Sequence, residues 1–428
     1  MKLLCTSDWH LGNLFHGNDR LPEHKHFITW LLEQIRAQQP DALLVAGDVY
    51  DNGSPSAATQ SVFYAFLAEA TEACSDMTII ITAGNHDSAS RIEAPRELLC
   101  RHKIEVRGNV RRKWVSGDEG SHWENDYDDL LIPIDNPEGG APLVVAAVPY
   151  LRSDISSNGN YSQGVNTFLH TLTSRARELY PASPIVMMAH LYAKGAEVAE
   201  NGASEKITIG GQEEVTLDEW EQHPEYFTCG HIHKRQKIWG TDWARYTGSV
   251  LPMSFAEVEY HHGVDLISLE AGSVPEVQFL EYSPQHPLKI IGIDIQGLSG
   301  KKLDTLLQNS IDQALRPRND DNNRTENYDY VEVDLTMDKV DNDLIKRLEA
   351  MVEAKDAVLC KIQKIMPSIE LHTLSDEATL RSIDDVVKRD PLQTLQETFA
   401  SKHNRVLNER QAAMLRELID NIQTETND

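Results

Sequence analysis

The chain has 428 residues, enough for two or three domains whose cores need no staples. Its five cysteines (Cys5, Cys74, Cys100, Cys229 and Cys360) stand singly with no CxxC pair, which excludes a zinc ribbon, argues against a disulfide framework and points to a reducing, cytoplasmic setting. A formal net charge of -27 argues against a broad basic nucleic-acid-binding face, and no apolar run approaches the roughly 18 residues of a membrane span.

In chain order, the opening "MKLLCTSDWH" lacks the apolar stretch of a signal peptide and reads instead as the first buried strand. "KLLCTS", "DALLVAG", "MTIIITAG", "PLVVAAV" and "PIVMMA" are short and apolar, most of them rich in β-branched residues, and they are bounded by turn signals, as strands covered on both faces are. Helices are predicted between them over 23–38, with Ile28, Leu31, Leu32 and Ile35 at helical spacing, and over 56–74, with Phe63, Phe66, Leu67 and Ala70. Residues 1–285 therefore read as a layered α/β domain. A compact α+β unit is predicted over 286–370, built from strands "LKIIGIDI", "YDYVEVDL" and "AVLCKIQKI", two helices and a polar loop "RPRNDDNNRTEN". Residues 371–428 carry no strand signal and read as helices, with an apolar stripe of Leu415, Leu418, Ile419 and Ile422.

The strand ends repeat a small set of side chains: "SDWH" (Asp8, His10), "GDVYD" (Asp48, Asp51), "GNHD" (Asn85, His86, Asp87), "AH" (His190) and "GHIH" (His231, His233). Parallel strands present their carboxyl ends along one edge, so these residues are expected to converge there. Carboxylate, imidazole and amide oxygen suit divalent cations, and no thiolate motif competes. The composition favours two metals, with Asp48 as the bridging carboxylate and phosphoryl transfer as the chemistry. Gly47, Gly84 and Gly230 each precede such a residue and are expected to let the backbone turn sharply. Histidines held as neutral ligands would lose metal below roughly pH 6. Cys229, His24, His26, His261, His262 and Trp9 are expected to be packing or surface residues.

The order D-x-H, GDxxD, GNHD, H and GHxH resembles the calcineurin-like metallophosphoesterases. "TSDWHLG", "VAGDVYD", "AGNHDS", "CGHIH" and "YTGSVLPMSFAE" are similar to the nuclease subunits of that family. The resemblance implies a metallophosphoesterase sandwich followed by a capping domain and a helical partner-binding segment. It also implies that Asp8, His10, Asp48 and His233 hold one ion, manganese by family habit, and that Asp48, Asn85, His190 and His231 hold a second. His86 would be the catalytic histidine, with Asp51 either orienting it or capping the next helix. The expected partner is an ATPase with a long coiled coil, docked on the terminal helices unless these pack on the capping domain instead, in a heterotetramer built on a homodimer of this chain. The expected activity is 3' to 5' double-strand exonuclease and hairpin endonuclease cleavage in DNA repair, recombination and replication. Small phosphodiester hydrolysis and a catalytically dead scaffold are the alternatives.

Charge is uneven along the chain. Residues 96–113 hold seven basic side chains against two acidic ones, and residues 115–140 hold eight acids with no Lys or Arg. Arg107, Arg111, Arg112 and Lys113 are the candidates to face DNA; the alternative is a solvated basic helix end beside an acidic loop. The acidic stretch "SGDEGSHWENDYDD" belongs to no family motif and is expected either to shield DNA or to have no role.

Overall fold

A computed structural model of the chain describes residues 1–117, 120–152, 155, 160–198, 214–216, 223–238, 240–270, 274–315, 328–337 and 342–365. All belong to a compact unit, Met1–Pro367; the remaining unit, Ser368–Asp428, carries the predicted terminal helices and lies outside the described residues, as does the predicted polar loop 316–327.

Two six-stranded sheets form the larger part. The first runs in the order Glu276–Tyr282, His262–Ser268, Lys2–Thr6, Ala42–Ala46, Thr78–Thr82, Ile104–Arg107, and its last four strands are mutually parallel. The second runs in the order Gln236–Lys237, Ala244–Tyr246, Tyr226–Gly230, Ile185–His190, Leu143–Ala147, Leu131–Ile134, parallel over its four middle strands. Side chains alternate across a strand, so a run apolar at every position must be covered twice. Leu3, Cys5, Leu44 and Ile80 meet Val145, Val186 and Met188 between the sheets. Leu4, Leu43, Val45 and Ile79 face outward, under the helices Leu21–Gln38 and Ala57–Ala73. Helix Tyr161–Leu179 covers the outer face of the second sheet with Val165, Phe168, Leu169 and Leu172. The result is a helix–sheet–sheet–helix sandwich. Ser56 starts its helix by accepting from Thr59 N at 3.1 Å, and Asn160 does the same from Gln163 N at 2.8 Å.

The third sheet contains Leu288–Asp294, Tyr330–Thr336 and Val358–Ile365, all parallel. Helices Gly300–Ala314 and Asn342–Glu353 make the crossovers that parallel pairing requires. The α+β unit expected here is thus more narrowly a β-α-β-α-β arrangement with its own core of Ile291, Ile293, Leu307, Ile311, Val331, Val333 and Leu348. Leu288 and Tyr330 pack on Phe15 and Phe255 of the sandwich. Beside them lies a buried ion pair: Arg20 Nε and Nη2 each donate to Glu23 at 2.9 Å, and Tyr330 Oη donates to the same carboxylate at 3.1 Å. No helix among the described residues is long and apolar enough to cross a membrane.

Removing one partner of a buried pair strands the other charge. Glu23→Ala is therefore expected to destabilise the protein by about 3–5 kcal/mol, seen as a lower urea midpoint. A loss below about 1 kcal/mol would mean that Arg20 finds water once Glu23 is gone.

Candidate metal centre

The five sequence elements converge because four of them follow parallel strands whose carboxyl ends adjoin, while His190 is itself the last residue of its strand. The loops interlock through backbone hydrogen bonds. Asp8 N donates to Gly47 O at 3.1 Å, His10 N to Asp48 O at 3.0 Å, and His86 N to Asp48 Oδ1 at 2.8 Å. His231 N donates to Asp8 Oδ1 at 3.0 Å. Asp8, His10, Asp48 and His231 all have left-handed backbone, with φ of 51°, 46°, 49° and 100°. Such a conformation costs a non-glycine residue of order 1–3 kcal/mol and persists only where the surroundings enforce it. Asp87 supplies much of that enforcement. Its buried carboxylate accepts from Gly84 N at 2.9 Å, Tyr50 N at 3.0 Å and Val49 N at 3.1 Å, clamping the second and third loops together.

Only one of the three glycines works as expected. Gly47 has the left-handed backbone of a sharp turn, with φ of 82°. Gly84 and Gly230 do not; a Cβ at Gly84 would lie 2.1 Å from Asp48 Oδ1, and one at Gly230 would lie 2.2 Å from Ala46 O. Their role is close approach.

Side-chain geometry falls into overlapping groups. One ligand atom from each of Asp8, His10 and His233 lies within 4.8 Å of the others, and the same holds for Asp8, Asp48 and His190, and for His10, Asp48 and His86. Asn85 Oδ1 accepts from His190 Nε2 and from His231 Nδ1, both at 2.9 Å. His231 and His233 therefore serve different halves of the cluster. The strand ends at Gly230, and His231 has a left-handed backbone. Three histidines are held from behind by Nδ1: His190 donates to Ala46 O at 3.0 Å, His233 to Glu257 Oε1 at 3.2 Å, and His86 to Asp51 O at 2.8 Å. This is the arrangement by which metal-site histidines present Nε2 to a cation.

Electrostatics follow from the burial. Burial opposes the charge on Asp48, but His190, His10 and His86 outweigh it and hold the carboxyl well below the usual range. Burial likewise opposes charge on His190, yet Asp48 at 3.3 Å and Asp8 raise it to about 9. His231 is pushed down to about 3 by burial and by the neighbouring His190. Asp87 is pushed up to about 6 by burial and by Asp48, against its three backbone donors. A divalent cation fits these residues: His10 Nε2 is buried with no hydrogen-bond partner, and two buried carboxylates stand beside it with imidazole and amide donors.

Several residues stand apart from expectation. Asp51 holds His86 through its backbone carbonyl, while its carboxylate accepts from Asn13 Nδ2 at 2.9 Å and lies 3.6 Å from His10 Nδ1. The helix cap is Ser56 rather than Asp51. Arg107 is buried and bound to Glu105 at 2.8 Å and to Asp129 O, which withdraws it from the surface-facing set. Arg111 pairs with Glu93 at 3.1 Å, and Lys113 with Asp126 and Asp128 at 3.2 and 3.5 Å, so these two cations are matched by nearby carboxylates. Glu257 and Asp87 were not given roles by sequence reasoning, although both sit inside the quoted stretches "YTGSVLPMSFAE" and "GNHD". Cys229, His24 and Trp9 are buried packing residues, His24 donating to Trp9 O at 2.9 Å.

Residues 1–235 match the family described as calcineurin-like phosphoesterase. SbcD of the SbcCD nuclease from Rhodobacter capsulatus is 35% identical over 285 residues, covering 64% of this chain and 68% of the relative. The protein of the same name from Escherichia coli (strain K12) is 25% identical over 413 residues, covering 91% of this chain and 92% of its own, and that of Bacillus subtilis is 27% identical over 67% and 71%.

A proton and a divalent cation would compete for the lone pair of His190 Nε2. The proton is held up to about pH 9, above the ordinary value of 6.5, so it stabilises the metal-free chain fully below pH 6.5 and that contribution is lost as pH rises through about 9. Metal affinity runs the other way. Manganese titrated calorimetrically is expected to bind more tightly as pH rises from 6.5 to 9, releasing about one proton from this site, a window higher than the pH 6 read from unperturbed histidines. Equal affinity at both ends would remove His190 from the ligand set. Glu257→Gln, which weakens the hold on His233, is expected to reduce metal affinity by about 10–100-fold with the fold intact by circular dichroism.

Proposed function

The chain belongs to the calcineurin-like phosphoesterase family and, within it, to the SbcD proteins, and from that premise we propose that it is the nuclease subunit of a complex with an SbcC-like ATPase. It is a metal-dependent phosphodiester hydrolase acting on DNA ends and hairpins. The observation that carries this reading is the set of histidines fixed through Nδ1 around two buried carboxylates, Asp8 and Asp48.

In this reading Asp8, His10, Asp48 and His233 hold one divalent cation, and Asp48, Asn85, His190 and His231 hold the other, with manganese as the working metal. When bound, such a pair of ions supplies water activation and neutralises charge on the phosphoryl group. The chain's own residues do the rest. Asp48 lies between the two groups, with Oδ2 at 3.3 Å from His190 Nε2 and 3.7 Å from His10 Nε2. Its geometry therefore suits a bridging carboxylate. His86 is half-buried beside His10, with ring centroids 4.7 Å apart, and the hydrogen bond to Asp51 O sets its orientation. Protonated, it can keep Nδ1–H on that carbonyl while Nε2–H donates to the phosphate or to the leaving oxygen. Because the buried network holds every loop in place, little reorganisation is needed when substrate arrives.

A chain with net charge -27 is suited to supply metals while the ATPase supplies much of the DNA-binding surface. The ATPase docks on the terminal segment 371–428, and two copies of this chain form the core of a cytoplasmic heterotetramer. Cleavage proceeds 3' to 5' from double-stranded ends and endonucleolytically at hairpins.

The test is cleavage of an end-labelled DNA hairpin by this chain co-purified with its ATPase, with and without manganese and ATP. His86→Ala is expected to lower the cleavage rate by about 10²–10⁴-fold while leaving bound manganese per chain unchanged. Full cleavage by that variant would remove His86 from the chemistry. Hydrolysis of a simple phosphodiester without any DNA cleavage would move the substrate to small molecules.

A further inference from the structure

A cleft of about 310 Å³ opens beside the metal centre at Gly84 and Tyr150 and is lined farther out by Asn109, Arg112, Asn125 and Arg152. Tyr150 joins it to the centre: its amide donates to Ala83 O at 2.8 Å, and its ring lies 6.0 Å from that of His190. Arg112 and Arg152 are exposed, and among the described residues neither forms an ion pair. Their basic neighbours differ, since Arg96, Arg107, Arg111 and Lys113 are all matched to carboxylates. In a chain this acidic, two guanidinium groups beside the metal centre, unmatched among the described residues, are available to an external anion.

Arg112 also opens a two-stranded ribbon, Arg112–Gly117 with Gly120–Asn125, in which it stands opposite Asn125. Residues two apart in a strand share a face, so the next cross-strand pair on the cleft-lining face is Trp114 and Trp123, about 7 Å farther along. Both indoles are open to water, 55% and 61% exposed, with ring centroids 5.3 Å apart at 65°. The opposite face carries Lys113, already held by Asp126 and Asp128. One face of the ribbon is thus charge-matched, and the other presents bare cation followed by bare aromatic surface. Phosphate for the guanidinium groups and an unstacked base for the indoles are supplied together by a nucleic-acid strand with unpaired bases.

We propose that the cleft and the ribbon form a track for unpaired nucleotides leading to the metal centre, with Arg112 and Arg152 on a phosphate flanking the scissile one and Trp114 and Trp123 stacking on a base beyond it. The inference rests on the nuclease reading and adds to it a preference for loops and frayed ends over fully paired duplex.

The experiment uses the full chain with its ATPase partner and two variants, Trp114→Ala/Trp123→Ala and Arg112→Gln/Arg152→Gln. Each is assayed on a hairpin with a single-stranded loop, on a blunt duplex and on bis(p-nitrophenyl) phosphate, and binding of oligothymidylate is followed by tryptophan fluorescence. The tryptophan variant is expected to lose about ten-fold in kcat/KM for the hairpin relative to the small diester. For the arginine variant, the slope of log affinity for oligothymidylate against log salt should shrink by about 0.7 for each phosphate contact removed. Wild-type ratios of hairpin to diester in both variants overturn the proposal. So does weakened association of the tryptophan variant with the ATPase while oligothymidylate binding stays intact, which assigns the ribbon to a protein contact. A wild-type protein that hydrolyses the diester and cleaves no DNA overturns the nuclease reading itself, a failure distinct from that of the variants.

Discussion

The structure turns on one buried carboxylate. Asp48 Oδ1 accepts the amide of His86, Oδ2 lies against His190 and His10, and its own carbonyl receives the amide of His10. Placing a negative charge there costs solvation that only nearby positive charge and directed donors can offset. His190 offers such charge as an imidazolium, and a cation bound to the same lone pairs would offer more. The left-handed backbone at Asp48 and the close approach at Gly84 are both consequences of bringing that carboxylate into the middle of the group.

Around it, positioning is delegated outward in steps. Ala46 O, Asp51 O and Glu257 hold histidine rings, and Asp87 holds the loops that carry Asp48 and Asn85. Glu257 lies within a short helix, Phe255–Glu257, whose Phe255 packs with Phe15, Leu288 and Tyr330 at the junction with the third sheet. The junction and the metal centre therefore share a structural element: Phe255 packs at the junction, and the carboxylate of Glu257 accepts from His233.

Charge is handled in two ways by one stretch of chain. The basic cluster and the acidic stretch near residue 120 looked like opposed surfaces in sequence, but Asp126, Asp128 and Asp129 close on Lys113, Arg175 and Arg96. Most of the apparent patch is neutralised between neighbours, and of its remaining cations Arg112 lines the cleft beside the centre.

Much of this was legible beforehand. Strands covered on both faces announce themselves as unbroken apolar runs, and residues that follow parallel strands must share an edge, so Asp8, His10, Asp48, Asn85, His86, His190, His231 and His233 could be gathered on sequence grounds alone. Both constraints are local or topological, and local pattern expresses them. What tertiary structure decided was which oxygen or nitrogen meets which. Asp51 acts on His86 through its backbone carbonyl rather than its side chain, Arg107 turns inward to Asp129 O, and Glu257 finds His233 from 24 positions away. The tilt of His190 toward a charged form likewise arises only when Asp48 and Asp8 are packed beside it. Such pairings depend on distances of a few ångströms between segments remote in the chain, and residue type and spacing along a sequence carry no record of them.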